Sequence, residues 1–116
     1  KVDPKPFEPI VDGMWRGVNV GGTSTLARLD GWDVCGKTGT AENPRGRDHS
    51  TFLSFAPKDN PKIAISVYVE NGGFGASAAL PIASLLEEYY LTDTIRRPAM
   101  LEYVKNLNIY YPAYDK

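Results

Sequence analysis

The chain has 116 residues, of which 42% are hydrophobic and 23% charged, a composition typical of one small globular domain. Its 13 basic and 14 acidic residues give a net charge of −1, which argues against nucleic-acid binding, since nucleic-acid binders usually carry a basic excess. One cysteine and one histidine exclude an internal disulfide and a cysteine-based or multi-histidine metal site, so neither a metal nor another cofactor is expected. The chain begins at Lys1 without an initiator methionine, and we expect it to be part of a longer protein.

The first predicted element is an amphipathic helix that follows a charged, proline-containing linker at residues 1–6. Pro9 fits only in the first turn of this helix, and Gly21-Gly22 ends it. A further short helical turn is expected next, capped by the side chain of Thr23 or Ser24. The apolar stripe of the helix is expected to pack in the core and comprises Phe7, Ile10, Val11, Met14, Trp15 and Val18.

Three strands are predicted in the middle of the chain. The first covers residues 32–38, and a polar loop at 41–49 separates it from the second, at 51–56. The third, at 62–70, is the clearest, because isoleucine and valine alternate there with smaller or polar side chains. The short turn at 57–61 predicts that the last two strands form an antiparallel hairpin.

A second helix is predicted from an N-cap at Ser77 to about Leu91, with Pro81 tolerated in its first turn. Residues 92–116 are expected to form a loosely held tail with one helical turn near 99–106. The element order predicts an α+β fold (an α/β sandwich), in which an antiparallel sheet of about three strands carries an N-terminal and a C-terminal helix on one face. The apolar stripe of the second helix comprises Ala78, Ile82, Leu85, Leu86 and Tyr89.

Residues 31–38 match the pattern G-x-x-x-x-G-K-[ST] of a phosphate-binding loop. That function requires a strand before the loop and a helix that begins at the lysine. The preceding residues 27–30 are not a hydrophobic strand, and glycines and a proline at positions 39, 44 and 46 prevent a helix. Nucleotide binding through this segment is therefore the least favoured function, and titration with ATP and magnesium is expected to show no binding.

If the same segment is a strand, then Lys37, Thr38, Gly39 and Thr40 have a different possible chemistry. The ammonium can hold a carboxylate, both threonine hydroxyls can donate to one, and the glycine lets another backbone approach. An edge strand can accept an extended peptide, and the Thr40 N–H can point at a developing oxyanion. K-T-G accompanies S-x-x-K and S-D-N in penicillin-binding proteins and class A β-lactamases.

The flanking residues make the resemblance specific. K-T-G-T is followed by F-x-x-F-A-P at 52–57, D-N-P-K at 59–62 and V-E-N-G-G at 69–73. Over about residues 7–91, this chain resembles the C-terminal part of the transpeptidase domain of class B penicillin-binding proteins, and the elongation type in particular. The central sheet of that family draws strands from both ends of the domain. The resemblance therefore implies a partial β-lactamase/transpeptidase-like fold.

The resemblance also implies roles for the tetrapeptide. Lys37 would join the proton-relay and electrostatic network beside the nucleophile, and Thr38, Gly39 and Thr40 would bind the substrate or β-lactam carboxylate. The Thr40 amide would provide half of the oxyanion hole. No serine of the chain is followed three residues later by lysine, and S-x-N does not occur. The nucleophile and its lysine are thus absent from this chain, which alone is expected to be inactive.

Six other residues have a predicted supporting or structural role, or a role that the sequence leaves open. His49 is expected to be a loop or supporting histidine, Cys35 a small buried hydrophobe, and Glu87-Glu88 a solvated helix face. Phe74 either lines a substrate groove or packs over the last helix. Thr51 departs from the aromatic residue common in relatives, which leaves the far wall of the groove undefined.

For the parent protein, the resemblance implies a peptidoglycan D,D-transpeptidase that acts on stem peptides and is acylated by β-lactams. It also implies a periplasmic position, anchored by a transmembrane helix not present here, and pairing with a membrane glycosyltransferase of the elongation machinery. Because half a sheet exposes an edge and an apolar face, we expect the fragment to self-associate or bind a companion chain. A non-catalytic module that binds peptide ends through the K-T-G-T edge is the alternative function.

Overall fold

The computed structural model describes residues 2–109 and has mixed α+β architecture, as predicted. Three strands form one antiparallel sheet in the order β1-β2-β3, so β1 and β3 are its edges. None of the helices in this range is long and apolar enough to cross a bilayer. The elements are α1 (Glu8–Asn19), β1 (Cys35–Ala41), β2 (His49–Ala56), β3 (Ile63–Val69), α2 (Ala79–Thr92) and α3 (Pro98–Lys105), with short 3₁₀ turns at Lys5–Phe7 and Thr25–Ala27.

The strand register divides the sheet into two faces, because residues paired across antiparallel strands share a face. Both α1 and α2 pack on one of them, which confirms the predicted placement of the helices. We call this the covered face; it comprises Gly36, Thr38, Thr40, Ser50, Phe52, Ser54, Ala56, Ile63, Ile65, Val67 and Val69. The opposite, open face comprises Cys35, Lys37, Gly39, Ala41, His49, Thr51, Leu53, Phe55, Ala64, Ser66 and Tyr68, of which Cys35 is buried.

The first strand begins later than the sequence predicts, at Cys35 instead of residue 32. The N–H of Trp32 is used in a tight turn, where it donates to the Leu29 carbonyl at 3.1 Å, and Gly31 has a φ of +84°. The carbonyl of Val34 accepts from the side-chain amide of Asn19 at 2.9 Å. These contacts hold residues 29–34 in a connection between α1 and the sheet.

The first helix has the predicted period, but most of its stripe is not core. Within residues 2–109, Val18 is the residue of α1 that is fully buried, whereas Phe7 and Ile10 are 50% and 57% exposed. Val18 packs beside Gly36, where a Cβ at position 36 would lie 3.3 Å from its methyl group. The C-terminal end of α1 therefore contacts the sheet, and its N-terminal half extends beyond the described core. The following 3₁₀ turn lacks the predicted side-chain cap.

The stripe predicted for the second helix is correct in part, because Ala78, at its N-cap, and Leu85 are buried. Leu86 and Tyr89 are 54% and 57% exposed, and the predicted cap at Ser77 is wrong, because Ala78 is the N-cap and makes no side-chain hydrogen bond. Leu80 and small side chains of the helix are buried in the core, while Ile82, Leu86 and Tyr89 line a groove towards α3. One buried row, with i, i+3, i+4, i+7 spacing, comprises Leu80, Ala83, Ser84 and Glu87, and the other buried residues of the helix are Ala79, Pro81, Leu85 and Glu88.

Arg97 fastens the end of α2 to the rest of the molecule. Its Nε lies 3.1 Å from Glu88 Oε1, and its other nitrogens donate to the carbonyls of Ser84 at 3.1 Å and Leu26 at 3.0 Å. One guanidinium thus connects α2, the Thr25–Ala27 turn and the segment before α3. The predicted turn near 99–106 is helix α3, and residues 110–116 of the predicted tail lie outside the described residues, as does Lys1 of the predicted linker.

Candidate active site

The tetrapeptide Lys37–Thr40 lies in the middle of β1, the edge strand nearest α1. The Lys37 side chain is exposed on the open face, and its Nζ donates to the carbonyl oxygen of Thr38 at 2.8 Å. Among the residues that the structure describes, no carboxylate oxygen lies within 4.0 Å of this ammonium. Lys37 can therefore meet an anionic group of a substrate at the rim of the sheet.

The two threonine hydroxyls lie on the covered face, close to the same edge. Thr38 Oγ1 is 3.4 Å from Thr23 Oγ1, and Thr40 Oγ1 accepts a hydrogen bond from the Gly75 N–H at 3.4 Å. An extended ligand placed beside an edge strand can contact side chains from both faces of that strand. The structure thus brings all four predicted site residues to one edge, with the ammonium and the hydroxyls on opposite sides of it.

Glycine at position 39 and glycine at position 75 each avoid a steric clash. A Cβ on Gly39 would overlap Thr51 Oγ1 on the open face. On the covered face, a Cβ on Gly75 would lie 2.7 Å from the Gly39 carbonyl oxygen and 2.6 Å from that of Thr51. Gly75 therefore lets the loop after β3 rest directly on the tetrapeptide strand, and Gly39 leaves room for the Thr51 hydroxyl on the other face.

That loop, residues 71–75, is called the glycine loop below, and it is tied to the connection between β1 and β2. The Asn43 side-chain amide donates to Asn71 Oδ1 at 2.6 Å, and the Gly73 N–H donates to the Asp48 carbonyl at 2.8 Å. The V-E-N-G-G motif marked this loop in the sequence. Its contact with Asn43 joins residues 28 positions apart, and no local pattern predicts such a pair.

The structure shows the positions of three residues whose roles the sequence left open or predicted to be supporting. His49 begins β2, where its Nδ1 accepts from the Asn71 N–H at 3.0 Å and its ring stacks on Tyr68 at 5.4 Å, a supporting position as expected. Burial raises the pKa of the Cys35 thiol to about 11, which makes it the predicted buried hydrophobe and a poor nucleophile. Phe74 is 72% exposed, so it does not pack over the last helix.

The prediction of a solvated Glu87-Glu88 pair is wrong, since these side chains are 0% and 4% exposed. Ser54 Oγ lies 3.0 Å from both carboxylate oxygens of Glu87, and Glu88 is paired with Arg97. Burial raises the pKa of Glu87 to about 7, against the opposing effects of the Ser54 hydrogen bond and the Arg97 charge. The burial of Glu87 could have been predicted from the sequence, because helical spacing places it on the same side of α2 as the buried small residues.

The phosphate-loop alternative does not fit the structure. Lys37 and Thr38 lie inside β1, and no helix begins at them. The loop geometry that would surround a phosphate with backbone N–H groups is therefore missing at residues 35–38.

Comparison with known proteins identifies the family. A family model for the penicillin-binding protein transpeptidase domain matches residues 1–86. The chain belongs to this family. This finding confirms the resemblance carried by K-T-G-T, F-x-x-F-A-P and V-E-N-G-G.

The curated relatives agree with the family model. The chain is 37% identical over 106 residues to the peptidoglycan D,D-transpeptidase MrdA of Haemophilus influenzae, covering 77% of this chain and 16% of the relative. It is 36% identical over 92 residues to MrdA of Acinetobacter baumannii, covering 66% of this chain and 14% of that protein. The chain therefore spans less than a fifth of the length of these relatives.

Solved structures place the same segment within the family fold. Penicillin-binding protein 2 of Pseudomonas aeruginosa superimposes with a TM-score of 0.61 at 35% identity, over 78% of this chain and 20% of that chain. Penicillin-binding protein A of Mycobacterium tuberculosis, solved as an imipenem acyl-enzyme complex, gives 0.59 at 30% identity, over 74% and 20%. The sequence and structure together identify a fragment of the transpeptidase domain of a penicillin-binding protein of the 2 type.

Proposed function

We propose that this chain supplies the substrate-binding edge strand of a peptidoglycan D,D-transpeptidase. The whole enzyme would cross-link stem peptides by acyl transfer through a serine ester and would be acylated by β-lactams. The observation that carries the proposal is the K-T-G-T tetrapeptide on the edge strand β1, with an exposed lysine and two threonine hydroxyls along one edge. The relatives named peptidoglycan D,D-transpeptidase support it.

Each residue of the tetrapeptide has a role that fits its position. Thr38 and Thr40 donate hydrogen bonds to the carboxylate of the stem peptide or β-lactam, and Gly39 lets the ligand backbone lie close to β1. The Thr40 N–H provides half of the oxyanion hole. Lys37 stabilises the negative charge and takes part in moving the proton of the nucleophilic serine.

The serine nucleophile would come from another part of the protein, since no S-x-x-K occurs in these 116 residues. The rest of the transpeptidase domain would cover the open face, where Leu53 and Tyr68 are 49% and 60% exposed. The small share of each relative that the chain spans supports this occupant. The chain alone would then bind substrates weakly and form no acyl-enzyme.

A fluorescent penicillin tests the proposal on two proteins, the full-length protein that contains this chain and the 116-residue chain alone. We expect stoichiometric covalent label on the full-length protein and none on the short chain, read after denaturing electrophoresis. Label on the short chain would contradict the claim of inactivity. No label on the full-length protein would favour the non-catalytic peptide-binding module instead.

The role of Lys37 is tested by Lys37→Ala in the full-length protein. Removing a positioned group that moves a proton lowers the acylation rate by about 10²–10⁴-fold. The matched control is Lys105→Ala, because Lys105 lies in α3 and forms only an exposed pair with Glu102 at 3.6 Å. Equal rates for the two variants would remove Lys37 from the mechanism.

We also propose a location and a partner for the whole protein. Its transpeptidase domain would work at the periplasmic face of the inner membrane, held by a transmembrane helix elsewhere in the protein, beside a glycosyltransferase of cell elongation. The match to MrdA relatives supports this placement. Protease accessibility in spheroplasts tests the location, and co-purification from solubilised membranes tests the partner.

The short chain by itself would associate through the open face and the unpaired edge of β1. Sedimentation analysis should show a dimer or larger species, or a complex once the remainder of the domain is added as a second polypeptide. A chain that stays monomeric with and without that polypeptide would contradict this proposal.

A further inference from the structure

We propose that Asn43 and Asn71 are positioning residues for carboxylate recognition, because the contact between them sets the direction of the Thr40 hydroxyl through the glycine loop. This inference rests on the proposed function, in which Thr40 binds a carboxylate. It assigns a role to two residues that lie outside the tetrapeptide and would not touch the substrate.

The glycine loop is fixed at both of its ends. At its start, Asn71 accepts from the Asn43 amide, and its own N–H donates to His49 Nδ1 at 3.0 Å. At its end, Ser50 Oγ contacts the carbonyl oxygens of Phe74 at 2.8 Å and Gly75 at 3.2 Å. A loop held at both ends places its backbone donors in a defined direction.

One of those donors points at the site. The Gly75 N–H donates to Thr40 Oγ1 at 3.4 Å, and the close approach of the Gly75 backbone to the Gly39 and Thr51 carbonyls leaves little freedom to move. A hydroxyl has one hydrogen and two acceptor lone pairs. When a backbone N–H occupies one lone pair of the Thr40 hydroxyl, the hydroxyl hydrogen is directed away from that donor. Among the described residues, this hydrogen has no acceptor. The exposed edge of β1 is where a substrate carboxylate would receive it.

Asn71 is suited to its place for two reasons. Its φ of +58° lies in the left-handed region, which asparagine adopts more readily than most side chains. Its side chain is 5% exposed and accepts a hydrogen bond from Asn43, whose amide also donates to the Arg47 carbonyl at 3.0 Å. The pair therefore couples the β1–β2 connection to the loop that lies on Thr40.

The test uses the full-length protein and two ligands that differ in charge, benzylpenicillin and its methyl ester, which lacks the free carboxylate. The measured quantity is the acylation rate with benzylpenicillin divided by the acylation rate with the methyl ester. We expect Asn43→Ala to lower this ratio about tenfold, since a hydrogen bond to a charged group has that worth, and to change the ester rate less than about twofold. Asn71→Gly, which keeps the left-handed backbone but removes the acceptor, should behave alike.

Three further proteins separate positioning from general damage. Thr40→Val should lower the ratio by a similar factor, and the Thr40→Val/Asn43→Ala double variant should lower it no further, because both changes remove one interaction. Asn106→Ala is the control, since the Asn106 amide donates only to the exposed end of α3. Thermal midpoints of all variants establish that each is folded.

The outcomes distinguish the two levels of the proposal. A wild-type protein that takes no label from either ligand overturns the proposed function and this inference with it. Rapid wild-type acylation combined with an unchanged ratio in Asn43→Ala and Asn71→Gly overturns the inference alone. Equal losses for benzylpenicillin and the ester show a structural role only, which also overturns it.

Discussion

The covered and open faces of the sheet come from the same three strands and differ in what lies against them. On the covered face, Phe52 is 1% exposed and packs with residues of α1 and α2. On the open face, the next residue, Leu53, is 49% exposed beside Lys37. The difference shows that the covered face stabilises the chain. The candidate site residues lie on the open face and along the edge of β1, and the open face also exposes apolar side chains.

The largest expected effect comes from the centre of the covered face. Phe52→Ala should lower the free energy of unfolding by about 3–5 kcal/mol, because it removes a fully buried aromatic ring and leaves a cavity. Leu53→Ala is the matched control, and we expect less than about 1 kcal/mol in the isolated chain. Urea titration followed by circular dichroism measures both, and similar losses would contradict the division into two faces.

The second effect is a pH dependence of the covered face. The pKa of Glu87 is raised from 4.5 to about 7 in the folded state, so the folded chain binds more protons than the unfolded chain between these values. Stability from this group is therefore full below about pH 4.5 and is lost as the pH rises through 7, by roughly 3 kcal/mol.

The variant Glu87→Gln isolates this contribution, because glutamine resembles the protonated acid and does not titrate. The difference in unfolding free energy between the wild-type chain and this variant should change over pH 4.5–7 and be constant above pH 8. Parallel pH profiles would show that folding does not shift the pKa of Glu87.

The third effect compares Gly39 in β1 with Gly75 of the glycine loop, whose backbone lies against β1. Gly75→Ala should destabilise the chain by about 2 kcal/mol, since its Cβ would strike backbone oxygens at 2.6 and 2.7 Å. Gly39→Ala should have a smaller effect of about 1 kcal/mol, because the obstacle is the rotatable Thr51 hydroxyl. Adding Thr51→Ala should rescue Gly39→Ala and leave Gly75→Ala unchanged, as thermal melts will show.

The smallest effect is expected at Lys37. In the isolated chain, Lys37→Ala should change the unfolding free energy by less than about 0.5 kcal/mol, because the side chain is exposed and bonds only to the neighbouring Thr38 carbonyl. A loss above 1 kcal/mol in urea titration would give Lys37 a structural role and blur the contrast between the faces.

Much of the fold follows from local patterns in the sequence. The alternation in Ile63–Val69 predicted β3, and Pro9 marked the first turn of α1, where the structure has it. The tetrapeptide and its flanking motifs predicted the edge strand and the family. These features depend on residues close together in the chain, which is why periodicity and spacing suffice for them.

The wrong predictions concern contacts between distant residues. Glu87 looked solvated because its partner, Ser54, lies 33 positions away on the sheet. The predicted stripe of α2 included Leu86, which is exposed and faces the groove beside α3, and it left out Leu80 and Ala83, which are buried in the core. The Asn43–Asn71 contact was missed for the same reason.

The three-way contact of Arg97 has a consequence for shortening this protein. A version that stops near residue 91, the end of the segment predicted from the motifs, would delete the counterion of Glu88 and the donors to Ser84 and Leu26. The shortened helix would retain a buried carboxylate with no cation, a situation that proteins tolerate poorly. Expression limits for this domain should therefore extend past residue 105, the end of α3, even though the recognisable motifs end much earlier.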